Sequence, residues 1–154
     1  MLELLQKCPL RIIAFSNGPR KHAIKVLKTL GLCQTIFFDD KIFAVDDALP
    51  YCKPEKESFE HVFKSCGVIP NECVFIEDSM KNIRIGKSLG MKTILIAGMD
   101  RLSNNSKDTT TTTTTEAMVE SEKSKMGDMP ILNDPTVDVV IETCLDMKGL
   151  LKVV

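Results

Sequence analysis

Three short segments of the 154-residue chain place polar residues where an apolar run gives way to a helical pattern. In parallel α/β sheets that junction is where ligands bind. The first is Phe15-Ser16-Asn17-Gly18. A hydroxyl at a strand end can donate to a phosphate oxygen, and the amides of Asn17 and Gly18 lie near a helix N-terminus, which favours anions. The second is Lys53-Pro54, where a lysine ahead of a helix can neutralise a phosphoryl group during transfer. The third is Ile76-Glu77-Asp78-Ser79-Met80-Lys81-Asn82. Two adjacent carboxylates after an apolar strand suit Mg²⁺, a hard cation that takes oxygen ligands and keeps several waters. Each segment taken alone has a plainer reading: Ser16 or Asn17 as a helix cap, Lys53 as a solvated surface lysine, Glu77-Asp78 as an acidic helix start.

The elements that must position these residues follow from the periodicity. Ile12–Phe15 reads as a short buried strand, and a helix from about residue 20 to 30 follows with Ala23, Ile24, Leu27 and Leu30 at helical spacing. Pro19 suits the first helical position and Gly31 the position just past the end. Thr35–Phe38 reads as a second strand running into an acidic loop with Asp39, Asp40, Asp46 and Asp47. A second helix follows Lys53-Pro54, with Phe59, Val62, Phe63 and Cys66 on one face and Gly67 closing it. Cys73–Ile76 is a third strand, Met80–Leu89 a third helix stopped by Gly90, and Thr93–Ile96 a fourth strand. Val137–Ile141 reads as one more strand and Leu145–Leu151 as a short terminal helix. Strand–helix alternation of this kind argues for a parallel α/β sheet.

Between residues 103 and 130 the composition turns to Ser, Asn, Thr and Lys, with an unbroken threonine run from Thr109 to Thr115. Such a stretch has too little apolar surface to offset the entropy of ordering it, so it is expected to be a disordered insertion. The expected organisation is a core portion over 1–102, this insertion over 103–130, and the last strand and helix over 131–154.

The order and spacing of the three polar segments give them more weight together than apart. Ser16, then Lys53, then Glu77-Asp78 resembles the second, third and fourth motifs of the haloacid dehalogenase superfamily. The resemblance covers about residues 11 to 96, and 137–151 looks like that family's last strand and helix. The segments at 15–23, 52–54 and 75–83 look most like the pyrimidine 5′-nucleotidase branch.

The resemblance implies a phosphomonoesterase on a partial Rossmann-like core that hydrolyses a nucleoside 5′-monophosphate through an aspartyl-phosphate, with Mg²⁺ as cofactor. By carry-over Ser16 and the Asn17 amide bind the transferring phosphoryl group, with Gly18 in the same turn. Lys53 neutralises its charge, Asp78 with Glu77 binds Mg²⁺, and Asn82 supports that acidic site. The family's first motif, Asp-x-Asp, has no counterpart: none of the 15 residues before Ser16 is Asp. Asp39-Asp40 imitates it, but Lys41 stands where the general acid belongs, and the pair follows Ser16 instead of preceding it. The central nucleophile strand and the cap are therefore expected to be missing. The strands at Ile12 and Cys73 then lose a shared neighbour, and the chain must close the gap, recruit another strand or fold poorly. Weak or absent turnover follows, with a non-catalytic Mg²⁺- and phosphate-binding chain, or one that pairs with a full-length relative, as the alternative.

Two other classes fit less well. A receiver-type signalling domain puts its acidic pair first and its lysine last, the reverse of the order here. A dinucleotide-binding fold needs Gly-x-Gly-x-x-Gly after a strand, which is absent from the sequence.

Composition narrows the partners. Net charge is −1, with no basic block interleaved with aromatics, so a nucleic acid is not expected. No stretch reaches the roughly 20 apolar residues that span a bilayer, and the N-terminal residues lack a signal-peptide pattern. The expected partner is a small phosphorylated metabolite, and the expected location the cytoplasm, with nuclear access open to a small chain. The six cysteines form no Cys-x-x-Cys pair and are expected to be buried thiols in a reducing compartment.

Overall fold

The computed structural model describes residues 8–32, 41–98 and 134–143. These residues form two compact units that divide between Ile69 and Pro70. Among the described residues the strands make two parallel sheets, one in each unit. The α/β class with parallel strands is thus the one the sequence implies.

The first unit begins with strand β1 (Ala14–Phe15) and helix α1 (Arg20–Thr29). Strand β2 (Ile42–Phe43) pairs with β1 in parallel, Ala14 opposite Ile42 and Phe15 opposite Phe43. A four-residue turn of helix, α2 (Val45–Ala48), and then helix α3 (Lys56–Cys66) complete it. Ala23, Leu32 and Ile42 are buried together, and Ile12, Ala14, Ile24 and Leu27 pack around them. This is the apolar stripe of α1 laid against β1 and β2. Phe59 of α3 is almost fully buried, and its ring meets the Phe15 ring edge-on with centroids 5.3 Å apart. That contact fixes the end of β1, the residue just before Ser16.

The second unit has strand β3 (Val74–Glu77), helix α4 (Met80–Ser88), strand β4 (Lys92–Ile96) and strand β5 (Val139–Ile141). The order is β3-β4-β5, all parallel, with Ile76 opposite Ile94 and Leu95 opposite Val140. Met80, Ile83 and Leu95 are fully buried, with Phe75, Met91, Ile94 and Ile141 nearly so. Helix α4 comes so close to β3 that a methyl group on Gly86 would stand 2.8 Å from the Phe75 ring. Only a glycine lets the two elements meet at that distance.

Polar side chains hold β5 in this unit. Thr93 is fully buried, donates its amide to Asp138 Oδ2 at 2.8 Å and gives its hydroxyl to Thr136 O at 2.7 Å. Asp138 also accepts from the Lys87 ammonium of α4. Arg84, one turn earlier, reaches Asp134 Oδ2 at 3.2 Å. The Asp138 carboxyl is held below the usual carboxylate range, first by the Lys87 bond and then, against the opposing effect of burial, by the Thr93 amide and hydroxyl. Asp134 is held low as well, chiefly by the Thr136 hydroxyl and amide, with Arg84 adding less.

Several sequence expectations shift. The first strand is two residues long instead of four, because Ile12 packs on the core without entering the ladder. The partner of β1 is Ile42–Phe43, which the sequence does not mark as a strand; the expected strand at 35–38, with Asp39 and Asp40, lies outside the described residues. Asp46 and Asp47 belong to a helical turn and not to an open loop. Pro19 stands at the N-cap position just outside α1, one position earlier than expected, and makes no side-chain cap bond there. Cys8, Cys52, Cys66 and Cys73 are free thiols but only half-buried, since they sit at the ends of elements or between them. Residues 103–130 and the expected helix at 145–151 lie outside the described residues.

Candidate functional site

In the first unit the chain beyond β1 turns sharply at Ser16-Asn17-Gly18 before α1 begins. The Ser16 amide donates to Phe43 O at 2.8 Å, extending the β1–β2 pairing by one bond. The Gly18 amide donates to Ser16 Oγ at 3.0 Å. A hydroxyl that accepts one bond still has its own proton to give. A Cβ at Gly18 would lie 3.3 Å from Ser16 Oγ, so glycine leaves room for that oxygen.

Lys53 departs furthest from the plain reading of a solvated lysine. It is only 8% exposed. Its ammonium donates to Phe15 O at 2.9 Å and lies 4.9 Å from the centroid of the Phe15 ring. Lysine is almost never so buried unless its charge is engaged. Its backbone is held too: Asn17 Nδ2 donates to Lys53 O at 2.7 Å, and the Lys53 amide donates to Asn17 Oδ1 at 2.9 Å. Ser16, Asn17, Gly18 and Lys53 are therefore brought together, with Phe15 common to the strand end and to the lysine.

Arg20 and the acidic pair behind it carry no functional signal in the sequence. The Arg20 guanidinium donates to Ile42 O at 2.6 Å and to Asp47 Oδ2 at 3.0 Å, while its amide donates to Asp46. Asp47 Oδ2 also accepts from the Ala44 amide at 2.8 Å. The first amide of α1 is thus already capped by a carboxylate, and the helix start is bound to the 42–47 segment. The sequence offers the charges of Arg20, Asp46 and Asp47 but nothing that pairs them across 26 or 27 positions.

In the second unit Glu77 ends β3, and Asp78 stands exposed at the turn into α4. Glu77 Oε1 accepts from the Asp78 amide at 3.1 Å, and Glu77 Oε2 accepts from Asn82 Nδ2 at 3.1 Å. Asn82 is buried, 8% exposed. The Glu77 carboxylate is oriented by two neighbours, one of which is the backbone that carries Asp78. Among the described residues no group of three or more His, Cys, Asp or Glu side chains assembles. Two carboxylates are still a donor set that suits Mg²⁺, which binds through one or two carboxylates and retains water. Among the described residues no helix is long and apolar enough to cross a membrane.

Parallel strands with polar turns at their carboxyl ends define an α/β core of the kind that binds ligands there, and comparison with known proteins names the family. Residues 1–90 match the haloacid dehalogenase-like hydrolases, and the chain belongs to that family. It is 41% identical over 54 residues to D-ribitol-5-phosphate phosphatase of Bacteroides thetaiotaomicron, covering 35% of this chain and 26% of that protein. It is 27% identical over 93 residues to the phosphorylated carbohydrates phosphatase of Thermotoga maritima, covering 60% of this chain and 41% of that one. The fold is similar to that of L-2-haloacid dehalogenase from Xanthobacter autotrophicus, with a TM-score of 0.69 at 20% identity over 98% of this chain and 59% of that chain. The chain therefore spans less than two thirds of each of these proteins.

Proposed function

We propose that these residues handle the phosphoryl group and the Mg²⁺ of a phosphomonoester-binding member of the family. The observation that carries this reading is the burial of Lys53 with its ammonium against the Phe15 carbonyl, one residue before Ser16. A lysine drawn in from solvent and held at a strand end is built to meet an anion. Ser16, braced by the Gly18 amide, gives its hydroxyl proton to a phosphate oxygen, and the Asn17 main-chain amide adds a second donor. Lys53 balances the negative charge.

Asp78, with Glu77 held by Asn82, supplies the carboxylates for Mg²⁺. When bound, such a cation would supply neutralisation of phosphate charge. Hydrolysis through an aspartyl-phosphate further needs an attacking carboxylate. None of the residues assigned above is that carboxylate, so the reading made of them is one of phosphate and Mg²⁺ binding. A full-length relative paired with the chain is one source of the missing group.

The substrate class is a small phosphorylated metabolite. The resemblance of residues 15–23, 52–54 and 75–83 to the pyrimidine 5′-nucleotidase branch points to a pyrimidine nucleoside monophosphate. A polyol or sugar phosphate is the second reading, favoured by the names of the two curated relatives. Titration calorimetry with cytidine monophosphate, uridine monophosphate and ribitol 5-phosphate in Mg²⁺ separates them. Tighter binding of the nucleotides supports the first reading, and tighter binding of ribitol 5-phosphate the second. Binding of none of the three, nor of inorganic phosphate, sinks the proposal.

A further inference from the structure

We infer that the side chain of Asn17 is a positioning residue, which sets Lys53 for its phosphoryl partner and makes no contact with that partner itself. The inference rests on the reading of Lys53 as the charge-neutralising group.

The Asn17 carboxamide engages the Lys53 backbone through both of its ends: Nδ2 gives to Lys53 O at 2.7 Å, and Oδ1 takes from Lys53 N at 2.9 Å. The pairing is reciprocal, so a flipped amide would set donor against donor and acceptor against acceptor. The two residues are 36 positions apart, and this pair of bonds joins the Ser16–Gly18 turn to the segment that leads into α3. A lysine side chain is long and rich in rotamers, so it places its charge accurately only if both ends are held. Phe15 O holds the ammonium, and Asn17 holds the backbone. The fork also selects the residue type. Asp keeps the acceptor but sets a carboxylate against the Lys53 carbonyl, Ser and Thr cannot span both groups, and Ala offers neither.

The test is a double-mutant cycle on the 154-residue chain, read by calorimetric binding of inorganic phosphate in Mg²⁺, with amide hydrogen exchange at Lys53 followed by NMR in the same samples. Asn17→Ala is expected to weaken phosphate binding about tenfold, the scale of a lost hydrogen-bonded positioning contact. Lys53→Ala is expected to weaken it at least as much, and Asn17→Ala added to Lys53→Ala should cause no further loss. The Lys53 amide should exchange slowly in the parent and in Asn17→Asp, which keeps the acceptor, and fast in Asn17→Ala. Additive losses overturn the inference, because the Asn17 side chain would then act on phosphate independently of Lys53. Equal Lys53 exchange in the parent and Asn17→Ala overturns it as well. If the parent binds no phosphate, the proposed function and the ligand half of this inference both fail, and the exchange data alone decide whether Asn17 holds Lys53.

Discussion

The Lys53 ammonium donates to the carbonyl of Phe15 at 2.9 Å, which ties the lysine to the last residue of β1 and so to the turn that begins at Ser16. Arginine cannot take this place unchanged, because its planar fork is broader than an ammonium and needs partners in its own plane. Lys53→Arg is therefore expected to bind inorganic phosphate more weakly than the parent despite an identical charge. Lys53→Met, which keeps most of the stem, should lose about tenfold or more while remaining folded. Calorimetry alongside a circular-dichroism melt checks both. Parent-like affinity in Lys53→Met would show that the charge is not used.

Gly18 leaves the space in which the Ser16 hydroxyl sits. With a Cβ only 3.3 Å from Ser16 Oγ, Gly18→Ala must push that oxygen aside or open the turn. Phosphate affinity should fall several-fold, with a stability change of about 1 kcal/mol, the low end of overpacking for a contact that is only half-buried. Urea titration and calorimetry on one preparation separate the two effects. A loss of stability with unchanged affinity would assign Gly18 to folding alone.

At Gly86 two opposing terms can be weighed. Alanine in a helix interior is favoured over glycine by about 0.5–1 kcal/mol. Forcing a methyl group to within 2.8 Å of the Phe75 ring is overpacking, which costs about 1–3 kcal/mol. The clash wins, so Gly86→Ala is expected to lower the urea midpoint. Adding Phe75→Leu, which removes the ring atoms in contact, should recover part of the loss. A Gly86→Ala chain more stable than the parent would mean that α4 and β3 can move apart freely.

The tie between Asp138 and its partners Lys87 and Thr93 predicts the acid behaviour of the second unit. The Asp138 carboxyl is held below its ordinary value in the folded chain. A carboxyl depressed by folding contributes stability that is complete above its unfolded value, near 4, and is lost as pH falls through the lower folded value. Asp134 titrates in the same sense. Denaturant midpoints should therefore be flat from about pH 7 to 5 and fall below about pH 4, and the fall should be shallower in Asp138→Asn. Equal slopes in the two chains would remove Asp138 from the account.

Much of this scaffold is legible in the sequence because it depends on local pattern. Ala23, Ile24 and Leu27 mark the buried face of α1, Phe59 and Val62 that of α3, and Gly67 ends α3 in the left-handed conformation at φ 62°. What escapes the sequence is pairing across long separations. Asn17 attracts notice for its main-chain amide, yet its side chain holds a residue 36 positions away. Ile42–Phe43 is too short to show strand alternation and becomes a strand because β1 pairs with it. Asp138 reads as an ordinary polar residue within a strand until Thr93 and Lys87 are found against it. Spacing announces which chemistry is present, and tertiary contact decides which atoms remain to perform it.

The most direct test of the central claim is calorimetric titration of the 154-residue chain with inorganic phosphate, with and without Mg²⁺, beside Lys53→Ala and Asp78→Ala. The account predicts binding that strengthens with Mg²⁺ in the parent, binding weakened in Lys53→Ala under both conditions, and binding in Asp78→Ala that no longer responds to Mg²⁺. Phosphate affinity that is the same in all three folded chains, or unaffected by Mg²⁺ in the parent, would contradict it.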